Sequence, residues 1–480
     1  MEFSSLFFIY VFLPLTAAIY FLIPGIRRKN VVLIAASLLF YAMGQPVYLL
    51  LLLGLSYVNY YFGTLLAEKN RKLLIIAVSV NLLALGLFKY LDFLLGIFGL
   101  HVEGGVLLTA LRTLTQSLNS LLGTSFRAPT TALPLGISFY TFQALSYLID
   151  IYRGKNRGAE RFSDFLLYIC MFPKMAQGPI VRYEQIAPQL TQRRTNPRMI
   201  FDGILRFATG LAKKVLLADY AGKVISDLAS DPAGLTFLGA WLSAFLFLFQ
   251  IYFDFSGYTD MAIGIGRIFG FRYPENFDLP YVSTSITEFW RRWHMTLGSF
   301  FRDYVYIPLG GSRVGKWKLL RNLLLVWAAT GLWHGAAWNF VLWGLFYAVL
   351  LIAEKFALLP KLQKHPAIGR VYTLLFVLLG FVLFDAPSLS AAASRIAGLF
   401  GGAGAGVESL YYLKSYAVVL LLAILGATPL PKRLLARLRK NRVCGVLLDV
   451  LEPIVLVALL ALCTAYLIDG SFNPFLYFRF

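Results

Sequence analysis

Charge is scarce in this chain of 480 residues: Asp, Glu, Lys and Arg together make up 14%, and only 24 positions are acidic. So little charge cannot cover the surface of a soluble protein of this size. Cysteine is nearly absent, and Cys170, Cys444 and Cys463 lie far apart, without CxxC or metal-like spacing. That excludes a disulfide framework and leaves the three thiols as apolar packing groups. No metal site is expected. The chain contains no GxSxG elbow, no P-loop and no HExxH pair, which weighs against covalent serine hydrolysis, nucleotide hydrolysis and zinc hydrolysis. Gly264, Gly266 and Gly270 are spaced GxGxxxG with no alternating strand and helix pattern around them, so they suit close helix packing rather than a dinucleotide.

What the chain has in abundance is apolar surface. Hydrophobic residues make up 59% and the mean hydropathy is +0.69, so the bilayer is the solvent. A spanning helix needs about 20 mostly apolar residues. Stretches of that kind open at Leu6, Val31, Val47, Leu73, Leu133, Leu235, Leu319, Phe340, Val371, Tyr416 and Gly445. Runs this long predict an all-α, polytopic membrane protein with about 11–13 transmembrane helices and exclude the short alternation of a barrel. Arg27, Arg28 and Lys29 follow the first stretch instead of preceding it, the wrong charge order for a cleaved signal peptide. A retained first helix with its amino end outside is the expectation.

Lys and Arg outnumber acidic residues to give a net charge of +20, yet the excess sits in short loops beside apolar stretches. It reads as inside-facing loops against anionic lipid, with no nucleic-acid partner. The basic connections 68–72, 152–161, 192–198, 313–318, 355–364 and 432–442 then face the cytoplasm. The stretch 200–221 is hardest to place, because Arg206, Lys213 and Lys214 lie within it. It is either a crossing or a tilted segment near the surface. Lys89 and Asp92, near the end of a span, read as a relay or, more simply, a paired contact.

Between Gln250 and Asn339 the simple apolar runs give way to aromatic, charged and small residues. Such a block either covers the cytoplasmic face or lines a cavity made by short and re-entrant helices. Asp254, Ser256, Tyr258 and Asp260 place four hydrogen-bonding groups together, with Asp254 or Ser256 as an expected N-cap of a helix through Ile268. Residues 286–301 read as one helix, on which Glu288 reaches Arg291 or Arg292 and His294 shares a face with Trp290 and Leu297. Only four histidines are present, and His101 and His365 fall in loops.

His334 sits in GLWHGAAWNF at the far end of the stretch from Leu319. About fifteen residues of helix rise roughly 22 Å, which puts this imidazole deep in the membrane, where it is costly without work or a partner. Trp333 and Trp338 are placed to wall a space opened by Gly331, Gly335, Ala336 and Ala337. Imidazole can take a proton from a hydroxyl as that oxygen attacks a thioester. Spacing alone leaves catalysis and a structural or gating role both open.

The motifs carry more than the spacing does. PLGISFYTFQALSYLIDIYRG from Pro134, FPKMAQGPIVRY from Phe172, FDFSGYTDMAIG from Phe253, EFWRRWHMTL around His294, YIPLGGSR from Tyr306, GLWHGAAWNF around His334 and the tail DGSFNPFLYFRF occur in an order that resembles the membrane-bound O-acyltransferase (MBOAT) family. Within it, the likeness is to the branch typified by an alginate O-acetylation membrane protein. The resemblance implies short cytoplasmic helices around a central tunnel, with a catalytic core over residues 134–355 between membrane helices in 1–133 and 356–480. It makes His334 and His294 the catalytic pair. Asp254, Ser256, Tyr258, Asp260, Trp290, Arg291, Trp333, Trp338 and Asn339 become candidate tunnel-lining residues.

It further implies no bound cofactor, acetyl-coenzyme A or another acyl thioester as donor, and a polysaccharide acceptor. An extracytoplasmic acetyltransferase partner is expected because the chain carries no appended domain of that kind, and the location is the bacterial plasma (inner) membrane. D-alanyl transfer to teichoic acid is the nearest alternative within the family. Transport of a polysaccharide or lipid is the alternative from another class, although the two halves show no repeat of motifs.

Overall fold

The computed structural model describes residues 2–469, apart from 101, 103, 126, 127, 130, 231–235, 402, 403 and 405. His101, Leu235 and the tail motif beyond Asp469 therefore lie outside the described residues. Helices are the only regular element among the described residues. Six are long and apolar enough to cross a bilayer, Pro46–Glu68, Arg71–Ile97, Phe237–Ile268, Trp338–Lys364, Pro366–Asp385 and Arg442–Ile468. The pair Val407–Ser415 and Ala417–Gly426, bent by 60°, makes a seventh if counted as one broken span. The other apolar stretches are divided into shorter helices. The protein is thus an all-α, multi-pass membrane protein.

Two compact units make up the chain, one formed by Met1–Phe201 with Ile265–Pro274 and the other by Asp202–Gly264 with Glu275–Phe480. In the first, Asn59 and Asn81 exchange hydrogen bonds of 3.0 and 2.6 Å between neighbouring spans, a polar clasp suited to a medium without water. Asp92 accepts the Val106 N–H at 2.9 Å, so it holds the start of the next helix. The PLGISFYTFQ and FPKMAQGP motifs meet in a buried polar knot, where the Lys174 ammonium donates to Gln143 Oε1 at 2.5 Å and to the Tyr168 carbonyl. Burial without a carboxylate pushes Lys174 down to about 7.

In the second unit, the difficult basic stretch is helical throughout, as Pro197–Ala212, a π-turn over Lys213–Ala218, and Asp219–Ala229. Its cations are matched by acids on the long helix Phe237–Ile268 and beside it. Arg206 holds Asp260 at 2.7 Å and also Glu275, while Lys213 reaches Asp260 at 2.6 Å. Lys214, 1% exposed, bridges Asp254 at 2.7 Å and Asp219 at 2.8 Å. This corrects the expected N-cap. Asp254 and Ser256 lie in mid-helix, because Lys214 satisfies the Asp254 carboxylate from the side and the helix has no reason to stop there. Gly264 serves packing as expected, since a Cβ there would press on the Gly203 carbonyl and the Phe207 N–H.

Burial alone would lower the Lys214 ammonium, and the Asp254 and Asp219 carboxylates outweigh it and hold the group above its ordinary value. Removing one member of such a buried set leaves charge stranded, at a cost of about 3–5 kcal/mol. Lys214→Met should therefore sharply lower the thermal midpoint in detergent, and Lys214→Arg should retain most of it. Equal midpoints for Lys214→Met and wild type would show that the bridge carries no stability.

Candidate functional site

Both candidate histidines, His294 and His334, belong to the second unit, and local geometry differs at each. Residues 286–301 do not form the single helix that the sequence suggests. They form Ile286–Arg292 and Met295–Phe301, broken at Trp293 and His294. His294 takes a left-handed backbone with φ 46°, a strained choice for a side-chain-bearing residue that costs on the order of 1–3 kcal/mol. Two backbone bonds from the loop before it support the break, Asp278 N–H to the Arg292 carbonyl and Met295 N–H to the Asn276 carbonyl, both 2.9 Å. The Trp293 ring packs on Phe277 and Phe381, each with centroids 5.1 Å away. The break thereby moves His294 off the face it would have shared with Trp290.

The Ile286–Arg292 helix is pinned from its amino end by Glu354, a fully buried residue that the sequence did not single out. Its carboxylate accepts the Ile286 N–H at 2.6 Å, the Thr287 N–H at 2.8 Å and the Thr287 hydroxyl at 2.6 Å. Those are among the N–H groups that every helix start leaves open. On the same helix, Glu288 chooses Arg292 over Arg291, at 3.0 Å, and Arg291 is exposed.

The tautomer of His294 follows from its neighbours. Asn276 Oδ1 accepts the Thr296 backbone N–H at 3.1 Å and the Thr296 hydroxyl at 2.8 Å. A backbone N–H can only donate, so this amide end must be the oxygen. His294 Nδ1 lies 3.2 Å from the same oxygen and must carry its proton there. Nε2 is left with a bare lone pair, buried and without a partner among the described residues. Burial also pushes His294 down to about 3, so the ring stays neutral through the physiological range. It is a good hydrogen-bond acceptor and a poor proton acceptor.

His334 ends the helix Lys316–His334, where the carbonyl end of the helix dipole favours a positive imidazole. Its ring is 6% exposed and packs edge-on against Trp333, Trp343 and Phe384, with centroids 4.9, 5.0 and 5.3 Å away. Trp333 is also 5.8 Å from the His294 ring. One indole thus touches both histidines, although forty residues separate them in sequence. Phe255 closes on His294 from another side at 4.8 Å. Gly331 lets the following helix approach, since a Cβ there would strike the Phe340 carbonyl.

The remaining candidates separate by location. Trp290 lies in an aromatic cluster with Trp327, Trp343 and Tyr347 at 4.9, 5.5 and 4.8 Å, one ring removed from His334. Ser256 and Tyr258 are buried, whereas Asp254 and Asp260 are held in the ion pairs described above. Asn339 Nδ2 donates to the Ala386 carbonyl at 3.1 Å and the Phe384 carbonyl at 3.4 Å, so it secures the chain beside the site. Trp338 is 55% exposed, and Trp343 and Phe384 supply walls of the His334 ring that the sequence did not reveal. Among the described residues no group of three His, Cys, Asp or Glu could hold a metal ion.

If the neutral His294 Nε2 accepts a hydrogen bond during the reaction, giving Nδ1 a carboxylate partner should change its titration. Asn276→Asp keeps the Oδ1 contacts and discards an Nδ2 that has no acceptor among the described residues. A negative charge beside the ring favours imidazolium and raises its pKa. The acid limb of kcat/KM should move to higher pH in this variant. An unchanged pH profile would show that His294 protonation does not govern activity.

The class defined by fold and site is a multi-pass membrane protein with a buried, aromatic-walled pair of imidazoles. Residues 156–389 match the model of MBOAT, the membrane-bound O-acyltransferase family, and the chain belongs to that family. It is therefore an O-acyltransferase. It is 34% identical over 505 aligned positions to a probable alginate O-acetylase AlgI of Pseudomonas putida, covering all of both chains. To a peptidoglycan O-acetyltransferase of Helicobacter pylori it is 32% identical, covering 83% of this chain and 80% of the relative. A teichoic acid D-alanyltransferase of Bacillus subtilis is 29% identical over 52% of this chain and 68% of its own length.

Proposed function

We propose that this enzyme moves an acetyl group from a thioester donor on the cytoplasmic side, acetyl-coenzyme A, toward a hydroxyl of an alginate-like polysaccharide outside the plasma membrane, through an extracytoplasmic partner protein. The observation that carries the acetyl reading is the end-to-end match to a probable alginate O-acetylase, joined by a second O-acetyltransferase relative. The D-alanyltransferase relative aligns with about half of the chain. Membership of an acyltransferase family favours this reading over transport.

In the proposed chemistry the acceptor oxygen attacks the thioester carbonyl carbon, a C–O bond forms and the C–S bond breaks. His334 takes the hydroxyl proton, helped by the helix end at which it sits, and returns it to the departing thiolate. His294, neutral and with Nε2 bare, accepts the hydrogen bond of a second, neighbouring hydroxyl of the acceptor, which orients the one whose proton passes to His334. The aromatic rings exclude water, which would otherwise hydrolyse the thioester.

The donor is tested with purified protein in proteoliposomes, offered radiolabelled acetyl-coenzyme A or a D-alanyl carrier protein, with and without a secreted polysaccharide acetyltransferase. Label should pass from acetyl-coenzyme A to the polysaccharide only when the partner is present. Label from the D-alanyl carrier alone would replace acetyl transfer with D-alanyl transfer.

A further inference from the structure

A cleft of about 430 Å³ opens in the second unit between the loop before the Ile286–Arg292 helix and the short helix Leu430–Leu438, lined by Asp278, Leu279, Val282, Arg292, Pro429, Lys432, Arg433 and Ala436. Its lining holds three cations and one carboxylate. Arg292 is already balanced, by Glu288 at 3.0 Å and Asp278 at 3.1 Å. Lys432 and Arg433 have no carboxylate partner among the described residues, so the cleft carries surplus positive charge.

Three features make this a formed site. Leu279 in its wall holds a left-handed backbone with φ 46°, a strained conformation of the kind that collects at binding sites. The Arg292 guanidinium also donates to the Asp278 carbonyl at 3.1 Å, which fixes the floor. The helix Leu430–Leu438 is amphipathic, with Leu430, Leu434 and Leu435 about half exposed at 55, 57 and 48%. An amphipathic basic helix of this kind lies in the membrane interface with its leucines in the acyl boundary. Its cations then stand at the depth of phosphates, and the basic connection 432–442 puts that interface on the cytoplasmic side.

We propose that this cleft binds a phosphate-bearing anion at the cytoplasmic interface, with Lys432 and Arg433 as its charge partners and Arg292 as its floor. Two sources share that chemistry, the headgroup of an anionic lipid and the phosphates of a soluble cytoplasmic ligand. The inference stands apart from the donor and acceptor proposed above. A volume of this size falls within the usual range for a small-molecule site.

The test uses the full-length protein in phosphatidylcholine nanodiscs. One arm titrates inorganic pyrophosphate, a soluble phosphate that is neither the proposed donor nor its product, by thermophoresis. The other adds phosphatidylglycerol to the nanodiscs and measures retained lipid by native mass spectrometry. Each is repeated with Lys432→Gln/Arg433→Gln and with Arg437→Gln, which lies on the same helix outside the cleft lining. Loss of two charge-assisted contacts should weaken the bound probe by about tenfold or more, and Arg437→Gln should bind as wild type does. Binding in the first arm identifies a soluble phosphate ligand, and in the second a lipid headgroup. Binding of neither probe to the wild type, or equal binding by the double variant, would overturn the proposal. Acyl transfer is not read, so failure of the proposed reaction leaves this result interpretable.

Discussion

Replacing His334 with alanine should reduce acyl transfer by about 10²–10⁴-fold, the contribution of a positioned general base, while leaving the protein folded. The ring lies at a helix end and makes its contacts through edges, against Trp333, Trp343 and Phe384. Its removal opens a small space without stranding a charge, unlike the loss of Lys214. The predicted signature is a fall in kcat with a nearly unchanged thermal midpoint. A midpoint that collapses together with activity would identify His334 as a packing residue. His334→Gln should be as inactive as His334→Ala, because an amide restores volume and polarity but cannot take up a proton near neutral pH.

His294→Ala should cost about 10²–10³-fold, the scale for one well-aimed hydrogen-bonding group in a buried site. The reason differs from that at His334. Burial holds this ring neutral, and Asn276 holds the proton on Nδ1, so Nε2 can align a hydroxyl but is poorly placed to keep its proton. The left-handed backbone at His294 adds a second discriminator. His294→Asn suits that backbone and returns an acceptor oxygen, so it should recover part of the lost activity. Equal loss in His294→Ala and His294→Asn, with intact folding, would remove the alignment role. A loss of stability confined to His294→Ala would make the residue structural.

The membrane class and His334 as a candidate were legible in the sequence for a simple physical reason, whereas His294 was joined to it only by the family resemblance. Long apolar runs have few other uses, and an imidazole among glycines and tryptophans stands out against them. The charged stretch 200–221 was not legible, because its partners Asp254, Asp260 and Glu275 lie on other segments, and pairing of this kind leaves no local pattern. The same blindness made Asp254 look like a helix cap. The break at Trp293 and His294 was hidden because residues 286–301 contain no proline and carry the helical spacing of Glu288 and Arg292, and what divides them is backbone pairing with the 276–278 loop. Asn276 and Glu354 were missed for a related reason, since each acts on an element remote in sequence. Trp343 and Phe384 read as ordinary apolar residues of spanning helices, and only folding turns them toward His334.

The central proposal is that two buried imidazoles sharing the Trp333 indole serve acyl transfer across the membrane, His334 as the base and His294 as the aligning acceptor. It is tested most directly in inverted proteoliposomes given radiolabelled acetyl-coenzyme A only on the cytoplasmic face, with a polysaccharide acceptor and a secreted acetyltransferase sealed in the lumen. Wild type should deliver label to the luminal polysaccharide, while His334→Ala, folded and inserted to the same extent, should deliver at most about one hundredth as much. Delivery by His334→Ala at the wild-type rate would contradict the account.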